Sequence, residues 1–584
     1  MEYSKVGRFM RRSRPLLLGL AVAGLWSGGA GAFEIPTGND DIVIRWDQTL
    51  KYNAGWRIQG RDHNIADTWA YQAGDYLFDR GDMVTNRFDL LSEFDFAYKK
   101  LYGFRVSGAA WKDFAYDSKV KGSPLYDTPL FQSGALCGGV DCRTAYPGNR
   151  FTRSVQRYYT QSAEFLDAFV FGRVFEQGEA NIDVKAGRHM VYWGESLFSP
   201  IHGVSYSQGP VDFRKAMATP GSEAKELFLP LNQISAHANI TSNWSMAAQY
   251  YLEWKPYRIY EGGTYFTYAD PFFQAGTTYL GLPYVADAQH GPFKRPDNRG
   301  DWGVNLKYAA EFGTLGFYVR HFDDKVMGVF TDTTTGALTN GYAKNVKIYG
   351  VSYSTQIKAT GTAIGAEIVR RENTALNSVF GGLGMAQGNT WHALVNAMHF
   401  FGKTPLFDSA ILMGELTYNR LDAVTSGKEF YWARGYTGAN GVAGSLNCTN
   451  AYGGLGGVDD GCATKDFWGL AVNFTPTWYQ ALPSLDLSMP LHYDIGLKGN
   501  AAVPFGGNQD SGTWSVGVSA TYLQDYFFTL AYTQYFGTYN MGPNPLYAAL
   551  GSAGGPAQWL NTFNGGNPVL KDRGWLSFTF KTSF

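Results

Sequence analysis

Between residues 188 and 226 the sequence gathers eight charged side chains, Arg188, Glu195, Asp212, Arg214, Lys215, Glu223, Lys225 and Glu226, among the turn formers Gly194, Pro200, Gly209, Pro210, Pro220 and Gly221. Charges of both signs in such a stretch support two kinds of chemistry. They can line a narrow passage and bias which solutes cross it, with Glu195 of the Trp193-Gly194-Glu195 motif and Arg188 at the constriction. They can instead satisfy one another and pin a folded segment in place, and this reading is favoured because buried charges usually find internal partners first. Ser222 followed by acidic Glu223 has the pattern of a helix start, so a short helix or two is expected here.

Other chemistries find little support. No G-x-S-x-G elbow and no H-E-x-x-H occur, and Gly402-Lys403-Thr404 is only the tail of a phosphate loop, with Ala397 where its first glycine belongs. His392 and His399 stand seven apart, on opposite faces of a strand. The four cysteines form two local pairs, Cys137 with Cys142 and Cys448 with Cys462. Neither pair has C-x-x-C spacing or a neighbouring histidine cluster, so two loop disulfides are expected rather than a metal site, and no cofactor is expected.

The elements that must position these charges are strands. In the first segment Ile42, Ile44, Trp46, Leu50, Tyr52, Ala54 and Trp56 share one face, and Arg45, Asp47, Thr49, Lys51, Asn53 and Arg57 the other. The next segment sets Phe88, Leu90, Phe94, Phe96 and Tyr98 against Arg87, Asp89, Glu93 and Asp95. Ions at consecutive inward positions need water or one another, which predicts a hydrated interior along this wall. Similar alternation recurs near 104–116, 180–186, 246–254, 302–308, 315–319, 347–356, 363–369, 391–401, 412–418, 467–474, 485–493, 514–522 and 528–535, and more weakly near 165–171 and 233–240. Glu253, Glu367 and Glu415 fall on inward positions of these segments. The tally is near sixteen, with 14 to 18 expected, an even number. Short turns near 99–103 and 311–314 alternate with long Gly-rich stretches at 117–150, 260–300, 372–390, 422–465 and 537–570.

The last strand alternates to a terminal aromatic, Leu576-Ser577-Phe578-Thr579-Phe580-Lys581-Thr582-Ser583-Phe584. A strand with one apolar face to its last residue survives in lipid by pairing with the first, which removes the edge. The ending also resembles the signal read by barrel-assembly machinery, with Thr582 where that pattern often has an aromatic. At the other end Lys5, Arg8, Arg11, Arg12 and Arg14 precede an apolar stretch and the small residues Ala30-Gly31-Ala32, the pattern of a secretory signal peptide over 1–32. Without it the chain is mildly acidic, which gives no footing for nucleic acid. The 16% aromatic content, with 38 Tyr and 40 Phe, suits a wall whose alternate residues meet lipid and its interfaces. The expectation is one all-β domain over 33–584: a closed antiparallel transmembrane β-barrel in the outer membrane of a Gram-negative bacterium, with the 188–230 segment folded into its lumen.

Gly187-Arg188, Trp193-Gly194-Glu195, Pro220-Gly221, Lys225-Glu226, Pro230, Glu253-Trp254 and the opening strand with Gly55 and Arg57 together resemble the proteobacterial outer-membrane proteins grouped as domain of unknown function 1302. The resemblance spans the chain after the leader. It implies a barrel without an agreed activity, often encoded beside a periplasmic or lipoprotein partner and an inner-membrane exporter, an association that hints at traffic of hydrophobic molecules. The expected function is therefore a non-enzymatic outer-membrane channel or transporter, with hydrophobic or lipid-like solutes in view. The alternative is a non-conducting platform for a lipoprotein or exporter. A lipid hydrolase would need a Ser/His pair on the lipid-facing surface.

Overall fold

The computed structural model describes residues 33–67, 73–135, 139, 141, 143–144, 146–222, 224–268, 293–334, 338–379, 382–433, 448, 457–543 and 559–584. Within them eighteen antiparallel strands close into one barrel. In chain order these are β1 Ile42–Arg57, β2 Met83–Tyr98, β3 Tyr102–Asp113, β4 Gln161–Gln177, β5 Ala180–His189, β6 Leu231–Asn239, β7 Trp244–Tyr251, β8 Trp302–Ala310 and β9 Gly313–Phe322. The second half comprises β10 Val346–Ile357, β11 Thr362–Ala375, β12 Gln387–Phe401, β13 Ser409–Ser426, β14 Asp466–Leu482, β15, β16 Gly512–Tyr522, β17 Tyr526–Phe536 and β18 Trp575–Ser583. β15 is one wall position in two pieces, Leu485–Ser488 and Leu491–Lys498, both pairing with β14 and β16. Pro490, which has no N–H for the ladder, falls in the break.

Each strand pairs with its neighbour in sequence, and β18 closes on β1 from Thr49↔Ser583 to Arg57↔Trp575. Phe584 continues the seam by exchanging backbone hydrogen bonds with Gln48 at 2.8 and 2.9 Å. Beyond it Phe33–Ile35 takes over as the partner of β1, so this segment and Phe584 follow one another along one line of the wall. The count of eighteen replaces the tally near sixteen, because the two weakly alternating segments are full strands. In β4 the period of two slips: Phe165 is 68% exposed on the outer face and Val170 58%, although they have opposite parity. A bulge opposite Val106 and Gly108 inserts the extra residue. β6 is weak for a different reason, since Ala236 and Ala238 stand where larger apolar groups would mark the outer face.

Apolar side chains face outward around the wall: Leu90, Phe104, Phe165, Ile234, Phe317, Val351, Ile368, Val395, Leu416, Val518 and Leu530 are all exposed. No helix among the described residues is long and apolar enough to cross a membrane. Connections at one end are short turns, such as 178–179, 311–312 and 483–484, and those at the other end are long. The long connection between β5 and β6 turns inward. It carries two short helices, Phe213–Ala218 and Ala224–Leu227, and forms with wall residues a buried apolar core that includes Trp193, Val204, Tyr206, Tyr318, Phe322, Val369 and Phe467. The lumen at this level is therefore narrowed by the segment and its core. The proposed leader, 1–32, lies outside the described residues.

Candidate functional site

The inward segment is held by ionic side chains of the wall acting on its backbone. Its turns leave N–H and C=O groups without helical or strand partners, and such groups must be satisfied when buried. Glu367 of β11 is buried, with its neighbour Ile368 facing out. Its Oε1 accepts the N–H of Glu195 and, at 3.2 Å, that of Ser196, while Oε2 accepts the N–H of Val204 at 2.7 Å. Glu415 of β13 accepts the N–H groups of Leu197, Phe198 and Ser199 at 2.6, 3.2 and 2.7 Å. Guanidinium groups do the converse for carbonyls. Arg320 of β9 donates to the oxygens of Val204 and Tyr206 at 2.8 and 2.6 Å, and Arg371 of β11 to that of Ile201 at 2.5 Å. Asn396 of β12 donates to the Glu195 carbonyl at 2.6 Å. Gly194 permits this grip: its φ is +105°, and a Cβ there would fall against Glu367 Oε1 and Val204.

The far limb of the segment rests on β1 to β3 through a buried ion network. Lys51 donates to Ser222 Oγ at 2.8 Å and to Glu226 at 3.2 Å, and Lys215 lies 3.8 Å from Glu226. Lys225 pairs with Glu93. Arg87 grips Asp89 with contacts of 2.7–3.0 Å and lies over the Trp111 ring. Arg105 pairs with Asp95 at 2.6 Å. Lys51, Arg87, Asp89 and Glu93 are buried. The expectation of a hydrated wall is corrected for these four, which meet the inward segment and one another, whereas Arg45 is exposed and Asp47 and Asp95 are half-buried. Charges this buried hold their places only with partners of good geometry.

A third cluster joins the segment to the β3–β4 and β7–β8 connections. Asp212 accepts from the Tyr158 hydroxyl at 2.5 Å, from Arg258 at 3.0 Å and from the Lys215 N–H at 3.0 Å, the last as cap of the helix Phe213–Ala218. Burial alone would raise its carboxyl, but Arg258 and Arg214 outweigh burial and hold it at about 2. Arg258 also pairs with Glu164 at 2.6 Å, and Arg214 with Glu261 at 3.2 Å. Near mid-segment, His202 Nδ1 meets His392 Nδ1 at 2.9 Å, and His202 Nε2 donates to the Gly506 carbonyl at 2.8 Å. Burial, aided by Arg371 and opposed by the Gly506 bond, lowers His202 to about 4, so the ring is neutral. Between the segment, the wall and the long connections lies a cavity of about 680 Å³, lined largely by apolar and aromatic groups including Phe198, Phe213, Ile259, Met327, Phe467 and Phe505.

The ions expected to act together do so in part. Asp212, Arg214, Lys215, Lys225 and Glu226 join the networks above, and Glu367 and Glu415 are inward as expected and anchor the segment. Arg188 does not meet Glu195. It shares the outward parity of Val184 and Ala186 and donates to the Pro230 carbonyl at 3.3 Å, while Glu195 lies 3.9 Å from Lys307. Glu253 is not on a strand, because β7 ends at Tyr251; it accepts from the Asn232 N–H and pairs with Lys255. Arg45 is exposed beside Glu34, and Asp47 is half-buried. Ser222, read as a helix cap, donates to the Thr219 carbonyl and accepts from Lys51. Cys448 and Cys462 form a disulfide. Glu223, Cys137 and Cys142 lie outside the described residues. Arg320, Arg371, Arg258 and His202 were not singled out from the sequence. Arg320 was accessible from the inward parity of β9, whereas Arg258 sits in an irregular stretch that carries no such signal.

A family profile described as Protein of unknown function (DUF1302) matches residues 13–584. The chain belongs to that family. Two of the motifs that carry the DUF1302 resemblance lie where the wall grips the inward segment: Gly194 and Glu195 meet Glu367, and Lys225 and Glu226 meet Glu93 and Lys51. No curated protein matches this DUF1302 chain. Among solved structures it is similar to OccAB3 of Acinetobacter baumannii, with 8% identity over 93% of this chain and 99% of that one and a TM-score of 0.42. Likenesses to OccD3 (OpdP) of Pseudomonas aeruginosa have 12% identity, 95% and 93% coverage and a TM-score of 0.37. For the outer membrane channel DcaP of A. baumannii the values are 8%, 95%, 100% and 0.35.

Proposed function

We propose that this DUF1302 protein is an outer-membrane channel or transporter for small hydrophobic or amphipathic solutes, with its lumen narrowed by the segment 190–230. The observation that carries the reading is the anchored segment beside a largely apolar cavity inside a closed, outwardly apolar barrel. Wall side chains fill only small barrels, and a cylinder of eighteen strands leaves a lumen too wide for them to close. Here Glu367, Glu415, Arg320 and Arg371 hold a folded segment in place, and apolar space adjoins it. The outward apolar side chains support placement in lipid, and the terminal strand ending in Phe584 supports delivery there by barrel-assembly machinery. Arg214, Lys215, Lys225, Glu226, Asp212 and Glu195 act in this reading as the struts that set the width of the passage.

Purified full-length protein in planar bilayers and in solute-loaded liposomes tests this. Conductance or solute flux is expected, and replacing 200–228 by a short Gly-Ser linker should raise it. Absence of flux in both forms refutes the channel. The same result with a stoichiometric co-purifying lipoprotein or exporter subunit supports the platform alternative, whose motivation is the dense ion network that packs the lumen beside β1 to β3.

A further inference from the structure

The cavity is unequal in its chemistry, and the inequality points to a ligand class. Among the described residues its lining combines the aromatic rings of Phe198, Phe213, Tyr257, Phe467 and Phe505 with methionine, branched aliphatic and small polar groups, and none of them is a lysine, arginine or glutamate. The one carboxylate among the described residues of the lining is Asp494 of β15. Asp494 has the inward parity, opposite to the exposed Tyr493, and its side chain is 36% exposed in a position where the neighbouring space is this cavity. His492 Nε2 lies 3.0 Å from its Oδ1. Among the described residues no hydrogen bond is made to Oδ2.

Three ligand charges can be compared at such a site. An anion would enter a space whose described lining carries a carboxylate and no lysine or arginine, and desolvation and repulsion would both oppose it. A neutral apolar molecule would gain burial alone. A cation would gain the same burial, a charge-assisted hydrogen bond to Asp494 and attraction to the faces of the surrounding rings. A volume of about 680 Å³ lies in the range that encloses a small organic ligand. We propose that this cavity is a binding site for amphipathic monocations, an aromatic or alicyclic body carrying one ammonium group, with Asp494 as the residue that selects the charge. This inference rests on the transport reading for its biological use, but the site itself requires only the cavity and the carboxylate.

The test uses three probes that share one body: 1-naphthylmethylamine, 1-naphthalenemethanol and 1-naphthoate. Each is titrated calorimetrically at pH 8 into the full-length protein in nanodiscs, with empty nanodiscs as the reference for partition into lipid. The amine should bind about tenfold or more tighter than the alcohol, a difference of ~1.4 kcal/mol, and the acid should bind weakest. Asp494→Asn should bring amine and alcohol level, and Ala471→Trp, which fills the cavity from β14, should abolish binding of all three. Retention of the heat-sensitive gel mobility of a folded barrel shows that each variant is intact. Equal affinities in the wild type, a preference for the acid, or a preference for the amine that survives Asp494→Asn overturns the proposal. Flux without amine selectivity sinks this inference and leaves the channel standing, whereas selective binding without flux does the reverse.

Discussion

Removing the carboxylate of Glu415 tests whether the wall holds the inward segment by its backbone. In Glu415→Ala the N–H groups of Leu197, Phe198 and Ser199 lose their acceptor together. A buried donor left unsatisfied costs about 1–3 kcal/mol, and because this turn is only partly buried the lower end applies, for a total of ~3 kcal/mol. At ~1.4 kcal/mol per factor of ten, local opening should become roughly 100-fold more populated. Glu415→Gln keeps one acceptor oxygen and should lie between the two, at roughly tenfold. Hydrogen exchange read by mass spectrometry on peptides covering 195–206 measures this opening. Exchange at 197–199 should accelerate by the stated factor, while Val204, which bonds to Glu367, responds less. In planar bilayers the variant should show larger current fluctuations. Exchange at 197–199 within about threefold of wild type, in a variant with an intact barrel, would refute the anchoring argument.

Three further outcomes follow from the same geometry. His202 is held neutral with its folded value lowered to about 4, against about 6.5 for a free imidazole. The folded state thus binds fewer protons between these values, and the stability that comes from holding His202 buried and neutral is complete above ~6.5 and lost as the pH falls toward 4, by ~3 kcal/mol in all. Channel fluctuations should rise over that window and be flat with pH in His202→Phe; superimposable curves would exclude His202 as the group that titrates. Gly194→Ala forces a side chain into a backbone at φ +105° and against Glu367, at a cost of about 1–3 kcal/mol, and should speed exchange at 195, 196 and 204 more than at 197–199. Cys448→Ser opens the loop closed by the disulfide to Cys462; ~3 kcal/mol of loop stabilisation is expected to vanish, seen as protease cleavage within 448–462 with the barrel's gel mobility unchanged.

Much of the wall was legible because it is a local property. A strand with one face in lipid repeats every two residues, so Phe88 against Arg87 or Ile368 against Glu367 discloses its orientation without knowledge of its neighbours. Legibility failed where the backbone departs from that period. The bulge in β4 flips the parity between Phe165 and Val170, and Pro490 divides β15 into two pieces that fill one position. Glu253 was assigned to a strand because alternation continued past Tyr251, although the ladder stops there.

Taken alone, the chain determined that there is a barrel, which residues point into it, and that 188–230 is not wall. It also contained the charges that fill the lumen. Their pairing was decided only by closure of the cylinder, which brings Glu367 and Glu415 to a turn some two hundred residues earlier in sequence, and Glu93 to Lys225. The same closure turned part of an expected hydrated wall into a buried ion network and left Asp494 facing a largely apolar cavity. The physical reason is range. Alternation is imposed by neighbouring residues on one strand, whereas the partner of a buried ion is whichever opposite charge the folded chain carries within about 4 Å of it, and no local pattern specifies that distance.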